Sequence, residues 1–296
     1  MTQDKTNKVL NVPPLRFPEF TGEWEKCKLG DVADFSKGAG ISKEQLSDTG
    51  ESCILYGELY TKYKSEVIDE VYSKTNIETH NLVRSKQNDI IIPSSGETAI
   101  DISTARCIPY DDILLGGDLS IIRLKEQDGR FFSYQLNGVR KLDIAKVAQG
   151  VSVVHLYGEN LKRLYISHPN ITEQNKISDL LSLIDKRIST QIRVIDKLES
   201  LIKGIVVTHF NNVLNKQTIT IANLGESYSV GNLSKEDLTT TGEPCILYGE
   251  LFTTYGCVAH NISSKTKNFE QATLSQKGDL LFPASTTVDA VSLISP

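Results

Sequence analysis

Residues 41–63 read ISKEQLSDTGESCILYGELYTKY, and residues 233–255 read LSKEDLTTTGEPCILYGELFTTY. Sixteen of the 23 aligned positions are identical, at an offset of 192 residues. Flanking segments follow in the same order. Leu29-Gly30 matches Leu224-Gly225, and Asn88-Asp89-Ile90-Ile91-Ile92-Pro93 matches Gly278-Asp279-Leu280-Leu281-Phe282-Pro283. Each copy thus carries a turn, a short apolar strand, a Tyr-Gly-Glu segment and, later, an Asp followed by three apolar residues and Pro. A solenoid repeats every ~20–50 residues, so a period this long marks a duplicated domain. Two full copies need about twice the offset, and the chain has 296 residues. The second copy is therefore expected to be incomplete, through natural truncation or because the sequence is a fragment.

Between the copies lies a stretch of different character. Apolar residues recur from Ile177 through Leu181, Ile184, Ile188, Ile195, Leu198, Ile202 and Ile205, with Gln191 in the same register. The alternating spacing of four and three is a heptad pattern, with Leu181, Ile188, Ile195 and Ile202 at a and the others at d. His168-Pro169-Asn170 interrupts what precedes, Thr172 is the expected N-cap, and no Pro breaks residues 171–213. About 40 residues at ~1.5 Å each make a helix of roughly 60 Å. Such a stripe needs a partner. It packs either onto the N-terminal domain or against a second helix of the same kind, with Leu180, Ile192, Leu201 and Val206 widening the apolar face.

Upstream, segments bounded by Gly, Pro and Asp read as strands at 53–56, Asp89–Pro93, Leu119–Leu124 and 164–167, and 131–149 reads as one helix ended by Gly150. The expected class is α+β. Residues 1–168 form a mixed domain, 169–215 a heptad helix, and 216–296 a partial second domain.

The chain has 32 Lys+Arg against 37 Asp+Glu, a net charge of −5. Residues 1–165 carry 21 basic and 24 acidic side chains, 166–216 carry 7 and 5, and 217–296 carry 4 and 8. This argues against indiscriminate phosphate binding, which rests on net positive charge, and leaves room for a local basic face. No apolar run approaches the ~20 residues of a membrane span. The opening Met1-Thr2-Gln3-Asp4-Lys5 lacks the form of a signal peptide. The five Cys include no CxxC pair, so reduced cytoplasmic thiols are expected.

No catalytic constellation is visible. Lys37-Gly38-Ala39-Gly40-Ile41 lacks the spacing of a phosphate loop. His80, His155, His168, His209 and His260 form no metal-ligand pattern. Ser94-Ser95-Gly96-Glu97 follows a strand without a GxSxG elbow. Asn11-Val12-Pro13-Pro14 only echoes a nucleotide-methyltransferase motif. A recognition module is the better expectation.

Two domains joined by a long heptad helix resemble the specificity (S) subunit of type I restriction-modification systems. The opening Pro14-Leu15-Arg16-Phe17-Pro18-Glu19-Phe20, Trp24-Glu25 and Lys28-Leu29-Gly30-Asp31-Val32 is similar to the start of these subunits, as is Gly117-Asp118-Leu119 before a strand. Gly150-Val151-Ser152, Leu161, Ile166, Pro169, Glu173-Gln174 and Ile177 resemble the end of a target recognition domain entering its spacer helix. The second copy departs from the pattern by lacking the Leu-Arg-Phe-Pro opening. The resemblance implies a non-catalytic, cytoplasmic subunit that binds neither cofactor nor metal. It would read half-sites of a bipartite sequence in double-stranded DNA. It would dock methyltransferase (M) subunits, which use S-adenosylmethionine, and restriction (R) subunits, which use ATP and Mg. Self-pairing through the heptad helix is a variant of this reading. A stand-alone DNA-modification enzyme component and a coiled-coil adaptor without a DNA role are the alternatives.

If the half-sites differ, discriminating residues lie where the copies diverge. In the first copy that selects Lys64, Tyr72, Lys74, Arg84, Lys86, Ser94, Ser95, Arg106, Lys146, Ser152 and His155. Arg and Lys suit guanine edges or phosphates, while Ser and Tyr suit mixed contacts. The near-identical block 41–63 is expected to be scaffold or a surface common to both copies.

Overall fold

A computed structural model describes residues 11–78, 80–150, 152–212, 219–228, 233–268 and 273–283. The readings of the first five residues and of position 213 at the helix end lie outside these. The chain divides into two compact units, Met1–Thr208 and His209–Pro296.

The first unit is built on Asp89–Pro93, a strand of five residues buried along its whole length. It is paired on both edges, with Leu119–Leu124 and with Arg106–Ile108, and Ala33–Lys37 completes an antiparallel sheet of four. Side chains alternate across a strand. Ile90, Ile92 and Ile122 therefore enter a core with Phe132, Leu136 and Ile144 of the helical side, while Ile91, Ile121 and Leu119 enter a second core with Ile54, Leu59 and Leu115. A strand covered on both faces must be a continuous apolar run, and Ile90-Ile91-Ile92 is one. Beyond the second core lies a five-stranded sheet in the order Leu46–Ser47, Ser73–Thr75, Glu51–Ile54, Leu114–Leu115, Val83–Arg84. Two small ladders close the unit, Glu25–Lys28 with Tyr165–His168 and Ser95–Gly96 with Val154–His155.

The α+β class stands, with two corrections of detail. The helix expected over 131–149 is two helices, Gly129–Asn137 and Lys141–Val147. Gly138 closes the first by donating its N–H to Tyr134 O at 2.9 Å, and a Cβ there would lie 3.0 Å from that same oxygen. Gly150, at φ +131°, does not end a helix. It lies in the turn between Gln149 and His155, which exchange both backbone hydrogen bonds (2.9 and 2.7 Å).

The long helix runs unbroken over Ile171–Asn211, 41 residues. Its cap is Asn170 and not Thr172: Asn170 Oδ1 accepts from Glu173 N at 3.0 Å. The helix packs on the domain before it through residues 173–185, and Arg193 is still near enough to Tyr72 to favour its ionised form. Ile177 packs on the core, Leu181 is half-buried, and Ser178 is buried. Asp179 accepts from Arg130 at 2.7 Å, and Asp185 accepts from Tyr134 Oη at 2.6 Å. From Ile184 onward the stripe is exposed: Ile188 at 54 %, Ile195 at 53 %, Ile202 at 62 % and Ile205 at 68 %. Gln191 and Leu198 are exposed with it. The seam as a whole is therefore not packed on the domain that precedes the helix. Among the described residues no helix is long and apolar enough to cross a membrane.

The second unit repeats the local construction of the first. In the first copy Glu58 accepts from Leu55 N at 2.9 Å and from Ser73 Oγ, and Thr75 Oγ1 donates to Gln45 O at 2.7 Å. In the second, Glu250 accepts from Leu247 N at 2.8 Å and from Ser264 Oγ, and Thr266 Oγ1 donates to Asp237 O at 2.8 Å. Asp89 and Asp279 each accept from the backbone three residues upstream, at 2.8 and 2.7 Å. Gly50 and Gly242 both have positive φ, +108° and +138°, which explains why glycine occupies that turn in both copies.

Candidate nucleic-acid interface

At one end of the four-stranded sheet several turns meet. Gly38 N donates to Leu119 O at 2.9 Å and Ala39 N to Leu115 O at 3.0 Å. This brings the chain so close to residues 116–118 that a Cβ on Gly38 would lie 2.0 Å from Gly116 O. Asp118 takes a left-handed φ of +57° and accepts from Ser94 N at 2.7 Å. Ser94 O in turn accepts from Leu156 N at 2.9 Å, which lays Val154–His155 beside Ser95–Gly96 with His155 opposite Ser95. Lys37 pairs in register with Ser120, whose hydroxyl bonds that of Ser94 at 2.7 Å.

Small residues here leave backbone near the surface, and polar side chains surround it. Lys37, Asp118, Ser152 and His155 are exposed, and His155 stacks on the exposed Tyr157 with ring centroids 6.3 Å apart. A Cβ on Gly96 would sit 3.8 Å from Tyr60 Oη, and one on Gly57 would sit 3.7 Å from the same oxygen, so Tyr60 links Gly57 of the Tyr-Gly-Glu segment to this place. The Tyr60 hydroxyl is pushed up in pKa by burial and then by Tyr56, Asp101 and Glu97, so it stays a neutral donor. Hydroxyls, an imidazole and a lysine over exposed backbone suit base edges in a groove, where close approach and mixed donors and acceptors are needed.

Four of the candidates, Ser94, Ser95, Ser152 and His155, are thus brought together here. Ser94 and Ser95 are buried, so their part is to hold the turn. A second group lies on the five-stranded sheet and its edge. Lys74 is exposed, opposite Ser47 and Ser52. Arg84 pairs with Glu51 at 2.6 Å and donates to Asp112 O at 3.1 Å. Lys86 is exposed on the following turn. Tyr72 stacks on buried Tyr63 at 5.5 Å. Lys64 is exposed and donates to Thr61 O at 3.4 Å. Lys146 is exposed on the helix Lys141–Val147, 3.7 Å from Asp143.

Arg106 is a correction. It is 7 % exposed, and its guanidinium donates to Leu59 O at 3.1 Å and Tyr63 O at 2.9 Å. Burial pulls its pKa down, yet as an arginine it stays charged. It ties the central sheet to the short helix Glu58–Thr61 and cannot reach a ligand. Lys37 is the converse case, a rim residue absent from the sequence-derived set. Its stretch reads only as a turn, and its neighbour Ser120 lies far along the chain. Among the described residues no group of three or more His, Cys, Asp or Glu is placed to hold a metal ion.

Comparison with known proteins adds the following. A family model described as the type I restriction modification DNA specificity domain matches residues 21–200. A search of curated proteins found no match. Among solved structures, the chain is similar to the S subunit of a type I restriction-modification system from M. genitalium, with 20 % identity and a TM-score of 0.48 over 75 % of this chain. A chain from a structure described as the basis of complex assembly and conformational transition of the type I R-M system gives 15 % identity and 0.46 over 67 %. The HsdS subunit from Thermoanaerobacter tengcongensis gives 14 % identity and 0.42 over 63 %. The matches span 59 %, 47 % and 42 % of those chains, so this chain corresponds to about half the length of each.

Proposed function

Because the chain belongs to the type I restriction-modification DNA specificity family, we propose that its first unit reads one half of a bipartite sequence in double-stranded DNA and that its long helix is the spacer. In this reading the chain is a cytoplasmic, non-catalytic subunit that binds no cofactor. Methyltransferase subunits bring S-adenosylmethionine, and restriction subunits bring ATP and Mg. The observation that carries the reading is the helix that leaves the family-matched unit with a bare apolar seam over residues 184–205. A bare seam of that length is unfavourable in water and fits a rod built to be paired.

The end-of-sheet cluster supplies the reading surface, with Ser152 and His155 toward base edges and Lys37 toward a phosphate, while buried Ser94 and Ser95 hold the turn beneath them. Lys74 and Lys86 serve the backbone. With a net charge of −5, much of the positive charge that holds DNA must come from the M subunits. Self-pairing of the helix is the simplest way to cover the seam, and a two-fold pair would favour a palindromic bipartite target. A mobility-shift assay of the chain with its M partner tests the proposal. One sequence bound at least 100-fold more tightly than scrambled DNA is the expected result. Equal binding to all sequences, or S-adenosylmethionine turnover by the chain alone, overturns it.

A further inference from the structure

The root of the long helix is held in a way that spacer function alone does not require. Glu173, in the first turn, is completely buried. Its two carboxylate oxygens accept from Arg16 Nε and Nη2, both at 2.7 Å, and Oε1 also accepts from Trp24 Nε1 at 3.3 Å. Arg16 spends a further donor on Gly22 O at 2.6 Å. One turn along, Lys176 pairs with Glu19 and lies over the rings of Phe17 (4.7 Å) and Phe20 (5.9 Å). Trp24 stands edge-on to Phe131 of the core, with centroids 5.7 Å apart. Residues 15–20 have no strand or helix of their own. They form an arm pinned to the helix at 173 and 176 and to the domain through Trp24. On another side, buried Gln174 donates to Gln127 Oε1 at 2.6 Å and Pro169 O at 2.8 Å and accepts from Asp128 N at 3.1 Å.

Helix starts are ordinarily fixed by apolar packing with polar groups turned to water. Here consecutive buried polar residues, Glu173 and Gln174, make directional bonds to two separate parts of the domain. Bidentate Arg–carboxylate pairs fix orientation as well as distance. We infer that Glu173, clamped by Arg16 of the arm, is a positioning residue that sets the angle at which the helix leaves the recognition domain. Resting on the reading proposed above, it thereby sets the gap between half-sites without touching DNA. The lever is long. A tilt of about 10° at the root of a ~60 Å helix moves its far end by roughly 10 Å, about three base pairs at ~3.4 Å each.

The test uses the full chain with spin labels at Lys43→Cys on the domain and Lys203→Cys on the helix, with Cys27 and Cys257 replaced by Ser. The labelled chain is diluted with excess unlabelled chain. Pulsed dipolar spectroscopy is expected to give one narrow distance distribution for the parent. Glu173→Gln and Arg16→Gln should each broaden it at least two-fold, and the double variant should be no broader than either single one, because the two residues act as one joint. In cells with the M partner, the same variants should relax the single gap in the modified-base motif to several gap lengths while leaving the bases of each half-site unchanged. An unchanged distance distribution in the folded variants overturns the joint, as does additive broadening. Should Glu173→Gln fail to fold, Lys176→Ala on the exposed side of the arm takes its place with the same outcomes. Broadening in a chain whose parent shows no DNA preference supports the joint and overturns the recognition reading instead.

Discussion

Replacing Ile188 and Ile195 by Asp should abolish pairing of the helix without weakening the recognition unit. In the first unit these side chains are 54 % and 53 % exposed and contribute to none of its cores. Changing them therefore costs the unit little beyond helix propensity, ~0.5 kcal/mol each. In a helix pair each Ile would bury what it now exposes. Full burial of an Ile is worth about 1.5–3 kcal/mol, so half of one contributes about 1 kcal/mol. Two positions on two chains give roughly 4 kcal/mol before the cost of desolvating four carboxylates, and 1.4 kcal/mol is tenfold in an equilibrium constant. The dissociation constant of the pair should rise about 1,000-fold or more. Sedimentation equilibrium across a concentration series measures that change, and thermal unfolding of the monomer supplies the control. If self-association is unaffected, or if the monomer's Tm falls by more than a few degrees, the seam is not the pairing surface and the reasoning fails.

Three other predictions concern the first unit. Arg106→Met should lower stability by about 1–3 kcal/mol in urea unfolding, because it strands Leu59 O and Tyr63 O without their donor, and should leave sequence preference intact in the fraction that remains folded. Ser152→Ala with His155→Ala should cut discrimination between target and scrambled DNA by about 10- to 100-fold in a competition assay with no change in Tm, since lost base-edge contacts cost ~1–3 kcal/mol. Burial pushes the Cys107 thiol up to about 12 and the Cys53 thiol up to about 11. The unfolded chain then loses these protons first as pH rises, so the urea midpoint should fall between pH 8.5 and 11. Cys107→Ala should flatten that decline, and a midpoint that rises with pH would contradict the burial of the thiol.

The two most legible features of the sequence had strong periodicity. Ile90-Ile91-Ile92 had to be a strand covered on both faces, and a 4-3 spacing held from Ile177 to Ile205 had to be one helix. The duplication was legible from identity alone, and its physical content is the turn that Glu58 and Glu250 each hold together. What escaped was set by partners distant in the chain. Strands of two residues, such as Leu46–Ser47 and Leu114–Leu115, are too short for any period to register. Arg106 read as a surface cation because the carbonyls that satisfy it belong to residues 47 and 43 positions away. Apolar spacing across residues 131–147 concealed the break at Gly138, although a glycine inside a helical pattern was the available signal. In the sequence Glu173 reads only as an acidic residue in the first turn of the helix, and Gln174 only as part of a resemblance. Their burial follows from Arg16, 157 residues upstream of Glu173, and from a loop at 127–128. A charged residue next to an amide in the first turn, just after a Pro, gave little hint of that.

The claim that this chain selects DNA sites at a fixed spacing is tested most directly by mapping modified bases genome-wide in cells that carry it together with its methyltransferase partner. The account expects one motif of two short defined blocks separated by an unspecified gap of constant length, lost when the chain is deleted. Methylation at a single uninterrupted motif, or a pattern unchanged by the deletion, would contradict it.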